Sequence, residues 1–111
     1  MKSISKDLIG AASIPLILAV LRREDSYGYE IVQEVKRLTE EKISWKEASI
    51  YPVLKKLENN GMIKSYWKVE KTERPRKYYT ILENGREQLK KNINEWDLIH
   101  HALESLWGIT T

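Results

Sequence analysis

The chain has 111 residues, no cysteine and a formal net charge of +3. That length suits one domain with a single core, and the absence of thiols excludes a disulfide framework or a thiolate metal site and fits a reducing cytoplasm. The charge is concentrated: residues 46–77 hold nine Lys or Arg against four Glu, a local +5 that leaves −2 for the rest. A basic middle on a mildly acidic chain is the electrostatic footprint of a nucleic-acid contact, although a solvated charged surface has the same composition.

The first predicted element spans residues 6–23 and is apolar nearly all round, with Leu8, Ile9, Ala11, Ile14, Leu16, Leu18 and Leu21. Such a helix is expected to be buried on more than one side. Lys2 and Lys6 ahead of "IPLILAVL" are arranged as in a signal peptide, but Asp7 interrupts the pattern and "RRED" stands where a small-residue cleavage site belongs. The apolar run is too short to span a bilayer, so no membrane contact is expected. Pro15 either kinks this helix near Ala11 or starts its second half behind Ser13.

A second, amphipathic helix is predicted in "YGYEIVQEVKRL", where Ile31, Val32, Val35 and Leu38 recur at helical spacing and Ser26 or Asp25 can cap the start. The third begins in "SWKEASIYPVLKKLENNGMIKSYW". Ser44 and Glu47 have the spacing of a capping box. Gly61 stands where a left-handed residue would end the helix, with Met62 packing back on Leu57. Ile50, Leu54, Leu57 and Gly61 form the inward stripe, and Ser49, Pro52, Lys56 and Asn59, with Lys55 beside them, form a polar, basic outer face. Pro52 either bends the helix at Ala48 or sits in the first turn of a helix that begins at Ser49.

From Met62 the period becomes two, with Ile63, Ser65, Trp67 and Val69 on one face and Lys64, Tyr66 and Lys68 on the other. A second strand, "KYYTI", follows the charged loop "EKTERPR". The predicted fold is therefore mainly α with a small β-hairpin. Residues 1–81 form a winged helix-turn-helix whose third helix enters the major groove and whose wing reaches phosphate or minor groove. In the last helix Leu89, Ile93, Trp96, His100, Leu103 and Trp107 are spaced 4, 3, 4, 3, 4, a coiled-coil seam that ends at Gly108. Residues 82–111 are read as a C-terminal dimerisation helix, with residues 6–23 also contributing to a homodimer interface.

The segments "SYGYEI", "SIYPVLKKLENNGMIKSYW" and "RPRKYY" followed by "ENGREQL" resemble the PadR family of bacterial transcriptional regulators over nearly the whole chain. The single C-terminal helix makes it look like the short subfamily, and Trp67 and Trp96 are similar to residues of its multidrug-sensing members. The resemblance implies a homodimer that binds an inverted-repeat operator in double-stranded DNA and represses transcription. Two positions depart from the pattern. Leu82 stands where the family has a capping Thr, so the last helix is expected to start less firmly. His100 stands where the drug-sensing members carry an acid, which weakens any carry-over of preference for cationic compounds.

The expected DNA contacts are Ser49, Tyr51, Lys55 and Lys56 in the third helix, with Arg74, Arg76 and Lys77 in the wing; the cations would mostly meet phosphates. Two Trp96 indoles paired across a dimer axis would form a slot for a planar aromatic molecule. Leu8, Ala11, Ile14, Leu18, Leu89 and Ile93 would be its walls, with Asp97 and His100 near by. Equally, Trp96 fills the seam. Asp97 and His101 have the spacing of metal ligands, but His100 and His101 diverge by about 100° on a helix, so no metal site is expected. With adjacent histidines, no thiol and scattered glycines, neither catalysis nor a cofactor is expected. The rival reading is a winged-helix protein-interaction module without DNA binding.

Overall fold

The computed structural model describes residues 4–71 and 73–108; Lys2 of the N-terminal charge pattern, Thr72 of the wing loop and residues 109–111 lie outside the described residues. In chain order the elements are α1 (Lys6–Arg23), β1 (Ser26–Tyr27), α2 (Gly28–Leu38), α3 (Glu47–Asn59), β2 (Ile63–Lys68), β3 (Arg76–Ile81) and α4 (Glu83–Trp107). The strands form one antiparallel sheet in the order β1-β3-β2. This is a winged helix-turn-helix with a long fourth helix. Among the described residues no helix is long and apolar enough to cross a membrane.

The helix ends differ from expectation where a side chain has a competing partner. Ser26 does not cap α2: it is buried in β1 opposite Tyr79, which keeps the backbone extended through Tyr27, and its hydroxyl donates to the Glu24 carbonyl. Asp25 instead accepts a hydrogen bond from the Tyr66 hydroxyl. The Ser44–Glu47 capping box is likewise absent. The N-cap of α3 is Lys46, with no side-chain cap, and the Glu47 carboxylate accepts from Tyr51 one turn on.

Pro15 and Pro52 both lie inside continuous helices. α1 runs unbroken through Pro15, and Ser13 donates to the Gly10 carbonyl instead of capping a second half. Pro52 is the sixth residue of α3, neither in its first turn nor at a break. Each proline deprives the carbonyl four residues earlier of its amide partner. Those carbonyls belong to Ala11 and Ala48, both exposed, so water can serve them.

α3 ends as its sequence predicts. Gly61 is left-handed at φ +71°, the Met62 amide donates to the Leu57 carbonyl at 3.0 Å, and the Gly61 amide donates to the Glu58 carbonyl at 3.0 Å. This is the Schellman pair. The Met62 carbonyl in turn accepts from the Leu82 amide at 2.9 Å, which ties the end of α3 to the start of α4. Leu82 supplies no side-chain cap, yet the helix start is held by this backbone bond and by the close seating of Gly85 on the same carbonyl.

The core is filled by one stripe from each helix and the inner face of the sheet: Ile17, Leu18 and Leu21, Ile31 and Val35, Ile50, Leu54 and Leu57, Ile63, Tyr79 and Ile81, and Leu89. Only the C-terminal half of α1 is enclosed. Leu8 and Ala11 near its start are exposed, so the expectation of burial on several sides is not met within one chain.

A Cβ at Gly85 would lie 2.3 Å from the Met62 carbonyl oxygen and 2.8 Å from Ile81 Cγ1. On an exposed helix, Gly→Ala stabilises by up to about 1 kcal/mol. Here, overpacking is expected to reverse the sign, and Gly85→Ala should lower the urea-unfolding free energy by about 1–3 kcal/mol. A variant as stable as the parent would show that this junction has slack.

Candidate nucleic-acid interface

Because Ile50, Leu54 and Leu57 sink into the core, helical geometry turns Ser49, Lys55 and Lys56 to the opposite side of α3, where all three are exposed. Tyr51 is placed differently. Its ring covers Gly28, the first residue of α2, so closely that a Cβ there would meet the phenol oxygen at 2.7 Å. The hydroxyl donates to Glu47 Oε2 at 2.8 Å. Burial first, then this hydrogen bond and the adjacent carboxylate charge, push the Tyr51 pKa up to about 12. Tyr51 is thus 43 % exposed, with its polar tip already engaged, and it braces α3 against α2.

The turn between those helices is held by Thr39, whose hydroxyl donates to the Val35 carbonyl at 2.8 Å and accepts from the Ile43 amide at 3.1 Å. The wing follows from strand register. Tyr27, Tyr78 and Tyr66 are direct cross-strand neighbours and form an aromatic row on the outer face of the sheet, with ring centroids 5.3 and 5.8 Å apart. The Tyr66 hydroxyl donates to Asp25 at 2.7 Å, which together with some desolvation raises its pKa to about 12. The Arg76 guanidinium lies 4.4 Å from the Tyr27 ring centroid, and Lys68, paired with Glu70 at 3.2 Å, lies 5.0 Å from that of Tyr78.

Lys77 projects from the other face, 5.9 Å from the Tyr79 ring centroid, and Arg74 stands exposed in the loop. Among the described residues the ion pairs are Glu34–Arg37, Glu40–Lys42, Lys68–Glu70 and His100–Glu104. None uses Lys55, Lys56, Arg74, Arg76 or Lys77. All five are exposed, with Glu30, Glu70 and Glu73 bordering the same hollow as Arg74 and Arg76. The tyrosine row and Gly28 were missed by sequence reasoning, because a two-residue β1 has no periodicity; the clustering in "SYGY" and "KYY" was the only available signal.

The predicted ligand residues separate. A shallow apolar groove of about 330 Å³ between α1 and α4 is lined by Ala12, Pro15, Leu16, Ala19, Leu89, Ile93, Trp96 and Asp97. Leu89, Ile93, Trp96 and Asp97 therefore come together. Leu18 lies fully buried in the core, Leu8 and Ala11 stand exposed near the start of α1, and Ile14 is half-buried outside this lining. α1 turns its 12-15-16-19 stripe to α4, a choice that an all-apolar helix leaves open. His100, exposed, pairs with Glu104 at 3.4 Å, and His101 Nδ1 lies 2.8 Å from the Asp97 backbone carbonyl. Among the described residues no group of three or more His, Cys, Asp or Glu side chains could hold a metal ion.

The fold has counterparts among known proteins. The model of the transcriptional regulator PadR-like family matches residues 17–91. The structure of a transcriptional regulator from Clostridium thermocellum superposes with a TM-score of 0.84 at 36% identity, covering 92% of this chain and 96% of that one. A PadR family transcription regulator from Clostridium difficile superposes at 0.77 with 31% identity, covering 86% and 98%. The negative transcriptional regulator PadR of Bacillus subtilis is 34% identical over 87 residues, which are 78% of this chain and 46% of that protein. The chain thus spans about half the length of that curated relative.

The brace at Tyr51 has a pH signature. Its folded pKa of about 12 lies above the ordinary 10.0, so the folded chain holds the phenol proton more tightly than the unfolded chain does. The resulting stability is complete below pH 10 and is lost as pH rises through about 12. Unfolding measured across that range should show a smaller alkaline loss for Tyr51→Phe than for the parent. Parallel curves for the two proteins would sink the assignment.

Proposed function

The chain belongs to the PadR-like family of transcriptional regulators, not to a family of enzymes, and from that premise we propose that it acts in the cytoplasm as a homodimeric repressor on an inverted-repeat operator. The observation that carries this reading is the set of unpaired cations on α3 and the wing. Ser49, Tyr51, Lys55 and Lys56 would meet the major groove and its flanking phosphates, and Arg74, Arg76 and Lys77 would hold the neighbouring backbone. Two copies would present two such surfaces one helical turn apart.

Residues 82–111 are proposed as the dimerisation helix, with residues 6–23 beside them. Leu98 and Leu106 are 71% and 84% exposed, and Ile93, Ile99, Trp107 and Leu8 also lie open. A second copy covering them would remove a large apolar surface from water. The same contact would close the groove beside Trp96 over a flat hydrophobic molecule, and occupancy there would release the operator by changing the spacing of the two DNA surfaces.

A selection from random duplex DNA should enrich an inverted repeat whose affinity falls linearly on a log–log salt plot. Replacing Arg74, Arg76 and Lys77 by Ala should flatten that slope by about 0.9 for each lost phosphate contact. Salt-independent binding, or none, would falsify the DNA reading. Charged residues at Ile93 and Leu103 should give monomers by light scattering and abolish quenching of Trp96 by planar aromatic compounds, because each buries an unpaired charge at the seam. A monomeric parent protein, or quenching that survives monomerisation, overturns the dimer-interface site.

A further inference from the structure

Trp67 is 68% exposed, although it continues the strand face that buries Ile63 at 1%, and Val69, just past the end of β2, is 61% exposed. The face can be identified from its contacts. Ser65, between Ile63 and Trp67, donates to Glu58 of α3 at 2.7 Å, so this side of the sheet is the one that carries α3. As β2 runs outward past the end of the core, an indole emerges on the same side as the recognition helix. Its direct cross-strand partner is Lys77, one of the cations without a carboxylate partner. Glu73, Arg74, Pro75 and Arg76 border the same depression of about 510 Å³ as Trp67.

The opposite face of the wing is already occupied by the tyrosine row, with Arg76 and Lys68 resting on it. With Lys77, Arg74 and Arg76 against the single carboxylate of Glu73, the surroundings of the indole carry a net positive charge and suit a partner that is polyanionic outside and apolar within. Duplex DNA is such a partner, with phosphates flanking sugar and base edges. A second copy of the wing would bring like charges together. We propose that the Trp67 indole is the apolar DNA contact of the wing, lying against deoxyribose and base edges while Lys77 meets the adjacent phosphate. This inference rests on the DNA-binding reading above and adds a contact that carries no charge.

The lack of charge makes the test specific. Only neutralised phosphates release counterions, so the salt slope counts cations and is blind to an indole. Titrations with the selected duplex over a salt series should show Trp67→Ala binding roughly tenfold more weakly at every salt concentration, the scale of one lost aromatic stack, with the slope unchanged. Trp67→Phe should recover most of the affinity. Lys77→Ala should do the converse and flatten the slope. Thermal unfolding of Trp67→Ala should match the parent, since the side chain is mostly solvated.

Parent-like affinity for Trp67→Ala, with the parent protein binding normally, overturns the inference and leaves the DNA reading standing. A slope that changes together with affinity assigns Trp67 to holding the wing cations and overturns it too. Unaltered DNA binding with lost repression in cells assigns the indole to a protein partner, which also refutes the proposal. Failure of the parent protein to bind any duplex removes the underlying reading itself.

Discussion

The fold turns on the backbone of Met62, whose amide closes the Schellman turn on Leu57 and whose carbonyl takes the Leu82 amide. Gly85 lies against that same carbonyl, closer than any side chain would permit. Three elements therefore meet at one backbone position: the end of α3, the first residues of β2 and the start of α4. Two glycines make the meeting feasible, for different reasons. Gly61 supplies a positive φ, and Gly85 supplies the absence of a Cβ. The core residues Leu57, Ile63, Ile81 and Leu89 surround this junction in sequence, so local backbone closure and apolar burial reinforce each other.

A second pairing sets α3 and the wing in a common frame. Tyr27 joins the sheet through β3 and supports Arg76, while the next residue, Gly28, receives the ring of Tyr51 from α3. One dipeptide thus references both halves of the cationic surface. Individually, the surface hydrogen bonds of Tyr51 and Tyr66 contribute little, about 1 kcal/mol each. Their value lies in geometry, since the proposed DNA surface of α3 and the wing is useful only when the distance between the two is held.

Much of this was legible in the residues. The limits of α1, the inward stripe of α3, the left-handed stop at Gly61 and the long α4 ending at Gly108 all follow from periodicity and from where glycine is required. What escaped was decided by tertiary competition. Ser26 reads as a cap until Tyr79 pairs with it across the sheet, and Glu47 reads as half of a capping box until Tyr51 engages it. The cationic residues of the proposed site are legible from charge, element order and the family resemblance, but the aromatic supports beneath them needed the register of β1. The face of α1 turned to α4 was beyond reach because every face of that helix is apolar, and only packing selects one.

The length of α4 gives the junction at Gly85 a mechanical meaning. Twenty-five helical residues extend about 37 Å, and Leu89 is the last of them that is fully buried. Beyond it only the shallow groove bordered by Ile93, Trp96 and Asp97 holds the helix to α1, so the outer turns form a cantilever whose fulcrum is a contact with no spare space. A tilt of about 5° at Gly85 carries Trp107 through about 3 Å, for a rise of about 1.5 Å per residue. A displacement too slight to disturb the core is thus wide enough at the free end to change which side chains an opposing surface would meet.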